Sequence, residues 1–208
     1  MLIIFTSPKG GTGKSTLTVL YANYLFQVFN KKVCIVDIDK NHSLPRKVKR
    51  HPDSASDERS YPVYASKMED IPRLKQTLGK TFAAILVDLE YQLTEQFLNN
   101  LQAADLIVCP YRTDELTLEA TLGFVLLLGL KKIKIATVFV PNRIKQQAEQ
   151  RLIADIETVL QNYGKIAPAI LDTQLFEKLN FFSNPAAVIT YSTAALGFIK
   201  QHSIKSPA

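Results

Sequence analysis

The sequence is short of cysteine and of long apolar runs, and each shortage excludes a class of protein. Its 208 residues include two cysteines, Cys34 and Cys109. Each lies in a strand-like apolar run, which favours a buried reduced thiol over a disulfide or a metal pair. The longest apolar run, 122–130, is nine residues long, whereas a membrane span needs about 20. We therefore predict no integral membrane association.

Nothing in the composition departs far from that of a soluble globular protein. Hydrophobic residues make up 47% of the chain and charged residues 21%, which excludes a disordered or fibrous protein. The chain begins on an apolar strand with no basic segment before it, so we predict no secretion signal and a cytoplasmic location. A chain of this length can bury one core, and we predict a single domain over 1–208.

Positive charge is concentrated in two parts of the chain. The net charge is +6, yet residues 60–130 carry five basic and nine acidic side chains. The excess of lysine and arginine falls in 40–52, which has no acid, and in 131–165, which has seven basic against three acidic residues. Such patches favour a polyanion such as DNA, although a solvated charged surface explains them equally well. Of the two clusters, the sequence slightly favours Lys131, Lys132 and Lys134 for DNA over Arg46, Lys47 and Lys49.

Short β-branched and apolar runs alternate with stretches of helical period along most of the chain. This alternation is typical of βαβ units, so we predict an α/β fold with a mostly parallel central sheet and helices on both faces. The predicted strands are Leu2–Ser7, Lys32–Asp37, Ala83–Asp88, Asp105–Pro110, Ile133–Val140 and Ile166–Leu171. The predicted helices are 14–30, 70–79, 93–103, 114–129, 146–162 and 189–202. The polar, proline-broken stretch Lys40–Ser60 is predicted to be a long loop.

A glycine-rich segment with the features of a phosphate loop follows the first strand. It runs Ser7-Pro-Lys-Gly-Gly-Thr-Gly-Lys-Ser-Thr16 and leads directly into a helical pattern. Glycines at a strand-to-helix turn let backbone N–H groups converge on phosphate oxygens, and the helix N-terminus adds its dipole. Lys14 would reach the β- and γ-phosphates of ATP, and the Ser15 hydroxyl would ligate Mg²⁺.

The additional lysine in this loop distinguishes it from the ordinary P-loop pattern. The segment Lys9-Gly-Gly-Thr-Gly-Lys-Ser-Thr16 resembles the deviant Walker A motif of the ParA/MinD family of dimerising ATPases. The resemblance implies a P-loop NTPase fold and an ATP-dependent homodimer in which Lys9 acts on the partner's phosphates and Lys14 on its own. It also implies that the nucleotide contacts Lys9, Gly10, Gly11, Thr12, Gly13, Lys14, Ser15 and Thr16.

The resemblance extends to the ends of three later strands. Asp37-Ile38-Asp39 is similar to the family's Asp-x-Asp element, which implies that Asp39 orients the attacking water and that Asp37 lies near Mg²⁺. Asp88 ends a strand similar to a Walker B segment, so the implied magnesium set is Ser15, Asp37 and Asp88. Asn142, which corresponds to an adenine-contacting residue of the family, and the loop 171–173 are the implied base-binding edges.

The sequence departs from the family pattern at three places. Lys40-Asn41 replaces the usual Pro-Gln after Asp39, which suggests Asn41 as a substitute for the glutamine. Leu89-Glu90 follows Asp88, where the family has a small residue and prolines, and we expect Glu90 to act in support of the site or at the surface rather than in catalysis. The chain starts at its first strand, so we expect no N-terminal helix-turn-helix and no reading of a specific operator.

Three functions fit these observations. The first is a small ParA-type ATPase of plasmid or mobile-element partition, which binds DNA non-specifically as an ATP dimer, associates with the nucleoid and is stimulated by a ParB-like partner. The second is a MinD-like regulator anchored by a C-terminal amphipathic helix, for which residues 194–208 supply four large apolar residues and only two lysines. The third is a metabolic relative, such as an amidotransferase-type synthetase or an iron–sulfur reductase.

Overall fold

Eight short strands form a parallel sheet at the centre of the part of the chain that the structure describes. The structure is a computed structural model and describes residues 1–39, 43–49, 60–144, 150–172 and 186–203. The strands are β1 (Leu2–Phe5), β2 (Val33–Asp37), β3 (Val63–Ala65), β4 (Ala84–Asp88), β5 (Leu106–Tyr111), β6 (Thr137–Ile144), β7 (Lys165–Ile166) and β8 (Ile170–Leu171). Their order is β3-β2-β4-β1-β5-β6-β7, with β8 paired to β6, and every pair is parallel. The predicted α/β fold is confirmed.

Helices cover both faces of this sheet. They are α1 (Lys14–Asn23), α2 (Ser43–Lys49), α3 (Leu74–Leu78), α4 (Glu95–Leu101), α5 (Glu115–Leu130), α6 (Gln150–Leu160) and α7 (Ala186–Ser203). A π-helical turn, Tyr24–Val28, extends α1, and a 3₁₀ segment, Met68–Arg73, precedes α3. Side chains of α1 and α7 pack on one face and those of α3 to α6 on the other. Because successive strand residues alternate between the two cores, the central strands are continuous apolar runs.

The strand order places the loop after β1 at the middle of one edge of the sheet. β1 lies between β4 and β5, and all three strands end at this edge because they are parallel. The neighbouring ends of β2 and β4 bring Asp37 and Asp88 into direct register. The carboxyl edge therefore gathers the predicted phosphate loop and both strand-terminal aspartates, as expected of an open parallel sheet.

The predicted loop over 40–60 is wrong in part, because helix α2 lies inside it. Pro45, which we took as a helix breaker, falls in the first turn of α2, where a missing N–H costs no hydrogen bond. The N–H of Leu44 in the same turn is satisfied by Asp37, seven residues earlier, at 2.9 Å. A local pattern could not predict this helix, since its N-terminus is stabilised by a residue on another element.

Two predicted strands need correction, and one strand was missed. β6 starts at Thr137 rather than Ile133 and continues past Val140 to Ile144. The predicted strand 166–171 is two strands of two residues, separated by a segment whose Pro168 has no N–H to donate. The edge strand β3 was not predicted, and its exposed, short sequence carries too weak an apolar pattern to mark it.

Asp114 forms the N-terminal cap of α5, the longest helix on its face of the sheet. Its carboxylate accepts hydrogen bonds from the N–H and the hydroxyl of Thr117 at 3.1 and 2.9 Å. We expect Asp114→Ala to lower the free energy of unfolding by about 1 kcal/mol, and Asp114→Asn, which keeps the cap, by much less. Chemical denaturation of the three proteins at pH 7 measures the difference, and equal losses for both variants would contradict a capping role.

The same cap should depend on pH. Partial desolvation alone would raise the pKa of Asp114. The hydrogen bonds from Thr117 outweigh this effect and hold the pKa below its usual value. A carboxyl with a lowered folded-state pKa stabilises the fold above its unfolded pKa of about 4 and loses that contribution as pH falls further. The difference in the free energy of unfolding between wild type and Asp114→Ala should therefore become smaller as the pH falls below about 4.

Candidate nucleotide-binding site

The loop between β1 and α1 adopts a conformation that depends on its glycines. Gly11 and Gly13 have φ angles of 78° and 87°, a region that residues with a side chain rarely adopt. Gly13 is the residue before α1, and its carbonyl accepts the N–H of Leu17 at 2.8 Å to begin the helix. The free N–H groups of the first helical turn therefore lie at the end of the glycine loop, which is the arrangement that binds anions.

This loop forms most of the wall of an open cavity of about 470 Å³. Every residue from Ser7 to Thr16 lines it, and three further residues, Asp39, Glu90 and Tyr91, complete it. The eight loop residues predicted to contact the nucleotide thus line one cavity, whereas Asn142, the ninth predicted contact, does not line it. Lys9, Gly10 and Gly11 are exposed at its rim, whereas Lys14 is largely covered.

Lys14, which lines the cavity, forms an ion pair with Asp88, which does not line it. Lys14 Nζ lies 2.5 Å from Asp88 Oδ1, and the Asp88 side chain is fully buried. An ionised carboxylate at such a position requires a charged partner, since removal from water otherwise costs several kcal/mol. The lysine that the sequence assigns to phosphate therefore neutralises Asp88 here.

Asp37 is fully buried, and both its carboxylate oxygens accept backbone hydrogen bonds. Oδ1 accepts the N–H of Asp39, and Oδ2 the N–H of Leu44, each at 2.9 Å. Burial raises the pKa of Asp37 above its usual value, an effect that these two bonds oppose and that the nearby Asp88 and Asp39 reinforce. Asp37 thus links the segment that carries Asp39 to the start of α2.

Several buried oxygens near Asp88 have no hydrogen-bond partner within the described part of the chain. They are Asp88 Oδ2, Thr6 Oγ1, Ser7 Oγ and Glu90 Oε2. Oxygen atoms of carboxylates and hydroxyls are the ligands that Mg²⁺ prefers, either directly or through its bound waters. The residues present therefore fit a magnesium ion at this end of the cavity.

Glu90, which we expected to support the site or lie at the surface, lines this cavity, and so does Tyr91, which was not predicted. Glu90 is half-buried there, two residues beyond the end of β4 at Asp88. Tyr91 packs edge-on against Phe97 and Phe124, at ring-centroid distances of 5.1 and 5.8 Å. The sequence drew attention to Glu90 because it is an acid two residues after Asp88. No local pattern indicated Tyr91, whose contact with Phe124 joins residues far apart in the chain.

Asn142 lies beside the loop rather than among the residues that line the cavity. Its Nδ2 donates to the carbonyl of Thr12 at 2.7 Å, and its side chain is almost completely buried. The adenine contact predicted for it stays a prediction. Asn41 and the end of the loop 171–173 lie outside the described residues.

A family model identifies the chain. The model for the CobQ/CobB/MinD/ParA nucleotide-binding domain matches residues 3–185. The chain belongs to this family. The match spans β1, the glycine loop and all of the later strands, so the ParA/MinD resemblance is confirmed over the whole sheet.

Solved ParA/MinD structures share the fold at low sequence identity. A plasmid partition protein from Borrelia burgdorferi B31, bound to AMPPNP, is 17% identical with a TM-score of 0.70, covering 96% of this chain and 98% of its own. MinD in the MinC:MinD complex from Aquifex aeolicus is 19% identical with a TM-score of 0.75, covering 100% and 97%. Apo McdA from Cyanothece is 17% identical with a TM-score of 0.70, covering 97% and 98%. No curated protein matches the sequence.

Two features of the structure bear on the iron–sulfur and membrane-anchored alternatives that the sequence left open. Burial raises the pKa of both Cys34 and Cys109 to about 12, and neither is exposed to solvent, so both lack the accessible thiolates that an iron–sulfur cluster needs. Among the described residues, no helix combines the length and apolarity needed to cross a bilayer.

Proposed function

We propose that this protein is a ParA-type ATPase that binds Mg²⁺ and ATP, forms a dimer around two nucleotides, and holds DNA non-specifically in that state. Hydrolysis stimulated by a ParB-like partner then releases the DNA, and the cycle drives partition of a plasmid or mobile element. The observation that carries the proposal is the cavity at the carboxyl edge, where Lys14 lies inside, Lys9 is exposed at the rim and Asp39 lines the wall.

Binding of ATP requires Lys14 to exchange partners. In the structure its charge is neutralised by Asp88. The β- and γ-phosphates offer a stronger partner, because they carry more charge and lie where the loop N–H groups converge. Lys14 therefore turns from Asp88 to the phosphates, which leaves the Asp88 carboxylate in need of another cation.

The Asp88 carboxylate, the Ser15 hydroxyl and the buried oxygens around them would hold Mg²⁺ once Lys14 has moved. When bound, Mg²⁺ neutralises charge on the phosphates and on Asp88. Asp37 lies in register with Asp88, but its oxygens already accept two backbone N–H groups. Its contribution is to keep Asp39 and α2 in place beside the ion.

Lys9 supplies the argument for a dimer. It is exposed on the rim, beside two exposed glycines that leave the backbone open to approach. A second lysine neutralises the phosphoryl group in transfer when two subunits face each other across the nucleotides, so catalysis becomes conditional on assembly. Asp39 then orients the attacking water from the wall of the cavity.

The placement of the two basic clusters changes which of them we assign to DNA. From the sequence we slightly favoured Lys131, Lys132 and Lys134, which are exposed but precede β6 and so lie at the opposite edge from the cavity. Arg46, Lys47 and Lys49 belong to α2, on the cavity edge, and α2 is bonded through Leu44 to Asp37. DNA binding that depends on the nucleotide requires the DNA-binding element to be in contact with the nucleotide site. Since α2 is hydrogen-bonded to Asp37 at that edge, we assign DNA binding to α2.

The salt dependence of DNA binding tests this assignment. Each phosphate contact contributes about −0.9 to the slope of log K against log salt. We expect reversal of Arg46, Lys47 and Lys49 to Glu to flatten the slope of the ATP-bound protein by at least 2, while ATP affinity stays unchanged. The matched control is reversal of Lys131, Lys132 and Lys134, which should alter the slope by less than 1. The opposite pattern would assign DNA binding to Lys131, Lys132 and Lys134. Unchanged slopes in both variants would exclude both clusters as DNA sites.

Co-sedimentation separates this function from a MinD-like one. The apolar residues that suggested a C-terminal membrane anchor include Leu196 and Ile199, which are fully buried in α7, and Phe198, which stacks on His202. We therefore expect the protein to sediment with DNA in ATP, to do so far less in ADP, and not to sediment with anionic liposomes in either. Sedimentation with liposomes but not DNA would favour the MinD-like function.

A further inference from the structure

Asn142 makes a contact that the predicted adenine role does not explain. Its side chain reaches from the end of β6 past β5 to the loop after β1, where Nδ2 donates to the Thr12 carbonyl at 2.7 Å. Thr12 itself is buried. The hydrogen bond joins residues 130 positions apart in the chain.

The loop has room for this contact because position 13 is glycine. A Cβ atom on Gly13 would collide with Asn142 Nδ2. Gly13 also needs its positive φ of 87° to begin α1. One residue type therefore satisfies two requirements, the helix start and the close approach of the Asn142 amide.

We propose that Asn142 is a positioning residue that orients the peptide group between Thr12 and Gly13 towards the phosphates of the nucleotide. The proposal rests on the proposed ATP-binding function and assigns this part of the site to the polyphosphate chain rather than to the base. In a planar trans peptide the C=O and the N–H point in opposite directions. Holding the Thr12 carbonyl on Asn142 therefore directs the Gly13 N–H away from it.

We place the cavity on that other side of the peptide because of which residues line it. Thr12 and Gly13 line it, and Asn142 does not. Without the Asn142 amide, the Thr12–Gly13 peptide can rotate about ψ of Thr12 and φ of Gly13, because a glycine tolerates many φ angles. The N–H would then be ordered only when phosphate binds, and the cost of that ordering would weaken binding.

Ligands with and without a base test the proposal directly. We expect Asn142→Ala to weaken the binding of ATP, GTP and inorganic tripolyphosphate, each with Mg²⁺, by a similar factor of about 10, the effect of weakening one charge-assisted hydrogen bond. Displacement of a fluorescent ATP analogue, measured well below the unfolding temperature, gives all three affinities. Unchanged tripolyphosphate affinity with weakened ATP binding would overturn the proposal in favour of a base contact.

Asn100→Ala is the matched control. Asn100 is a buried asparagine whose Nδ2 donates to the Met68 carbonyl at 2.8 Å, so it has the same chemistry away from the loop. We expect it to lower the unfolding temperature but to leave tripolyphosphate affinity unchanged. Equal losses of affinity in both variants would mean that Asn142 acts only through stability, which overturns the proposal.

A second variant covers the case in which Asn142→Ala does not fold. Asn142→Asp keeps the size of the side chain but cannot donate to a carbonyl when ionised, so we expect it to bind tripolyphosphate at least as weakly. In that variant the amides of 10–15 should also exchange hydrogen faster while those of the strands do not change. A wild-type protein that does not bind ATP overturns the proposed function itself, whereas variants with wild-type affinity overturn only this inference.

Discussion

Lys14→Ala should abolish tight ATP binding and also destabilise the empty protein. The first effect follows from loss of the charge that reaches the β- and γ-phosphates. The second follows from the ion pair, because Asp88 is fully buried and would be left without a cation. Removal of one partner of a buried pair costs about 3 kcal/mol. Nucleotide titration and chemical denaturation measure the two effects separately.

A double substitution distinguishes the two roles of Lys14. In Lys14→Ala combined with Asp88→Asn, no unpaired buried charge remains, so the free energy of unfolding should recover most of its loss. ATP binding should not recover, because the phosphates still lack their cation. Lys14→Gln serves as a control of similar size that can still donate to Asp88. Wild-type ATP affinity in any of these variants would contradict the phosphate-loop interpretation.

The phosphate loop and the sheet could be predicted from the sequence because their signals are local. The glycines, Lys14 and Ser15 lie within one turn, and the apolar runs of β1, β2, β4 and β5 are buried on both faces. Parallel pairing then places the strand ends at one edge, where Asp37 and Asp88 lie in register. The roles of Asp37, Asp39 and Asp88 came from the ParA/MinD resemblance and stay predictions.

What the sequence could not predict depends on contacts between distant elements. Helix α2 begins where Asp37 bonds Leu44, and nothing in the local pattern of 40–60 indicates that bond. The Asn142 amide reaches a carbonyl on the other side of β5, and the Lys14–Asp88 pair crosses 74 residues of chain. These side chains were expected to contact ligands, and in the structure they contact each other or the loop backbone.

The two acids that line the cavity share a test, because either could orient the attacking water. Asp39→Ala should leave ATP binding and ATP-dependent dimerisation intact while lowering hydrolysis by about 10²–10⁴, the usual contribution of a positioned general base. Alanine retains the backbone N–H through which Asp39 bonds Asp37. Dimers should therefore accumulate with ATP, and single-turnover hydrolysis with analytical ultracentrifugation measures both quantities.

Glu90→Gln is the matched comparison for Asp39→Ala. Glu90 lines the same cavity and has a buried Oε2 without a partner in the described part of the chain, so it is placed to hold a water or a water of the metal shell. If it only supports the site, we expect Glu90→Gln to lower hydrolysis less than tenfold. A loss of 10² or more in Glu90→Gln, with wild-type hydrolysis in Asp39→Ala, would transfer the water-orienting role to Glu90. Equal large losses in both variants would mean that the two carboxylates act together on one water.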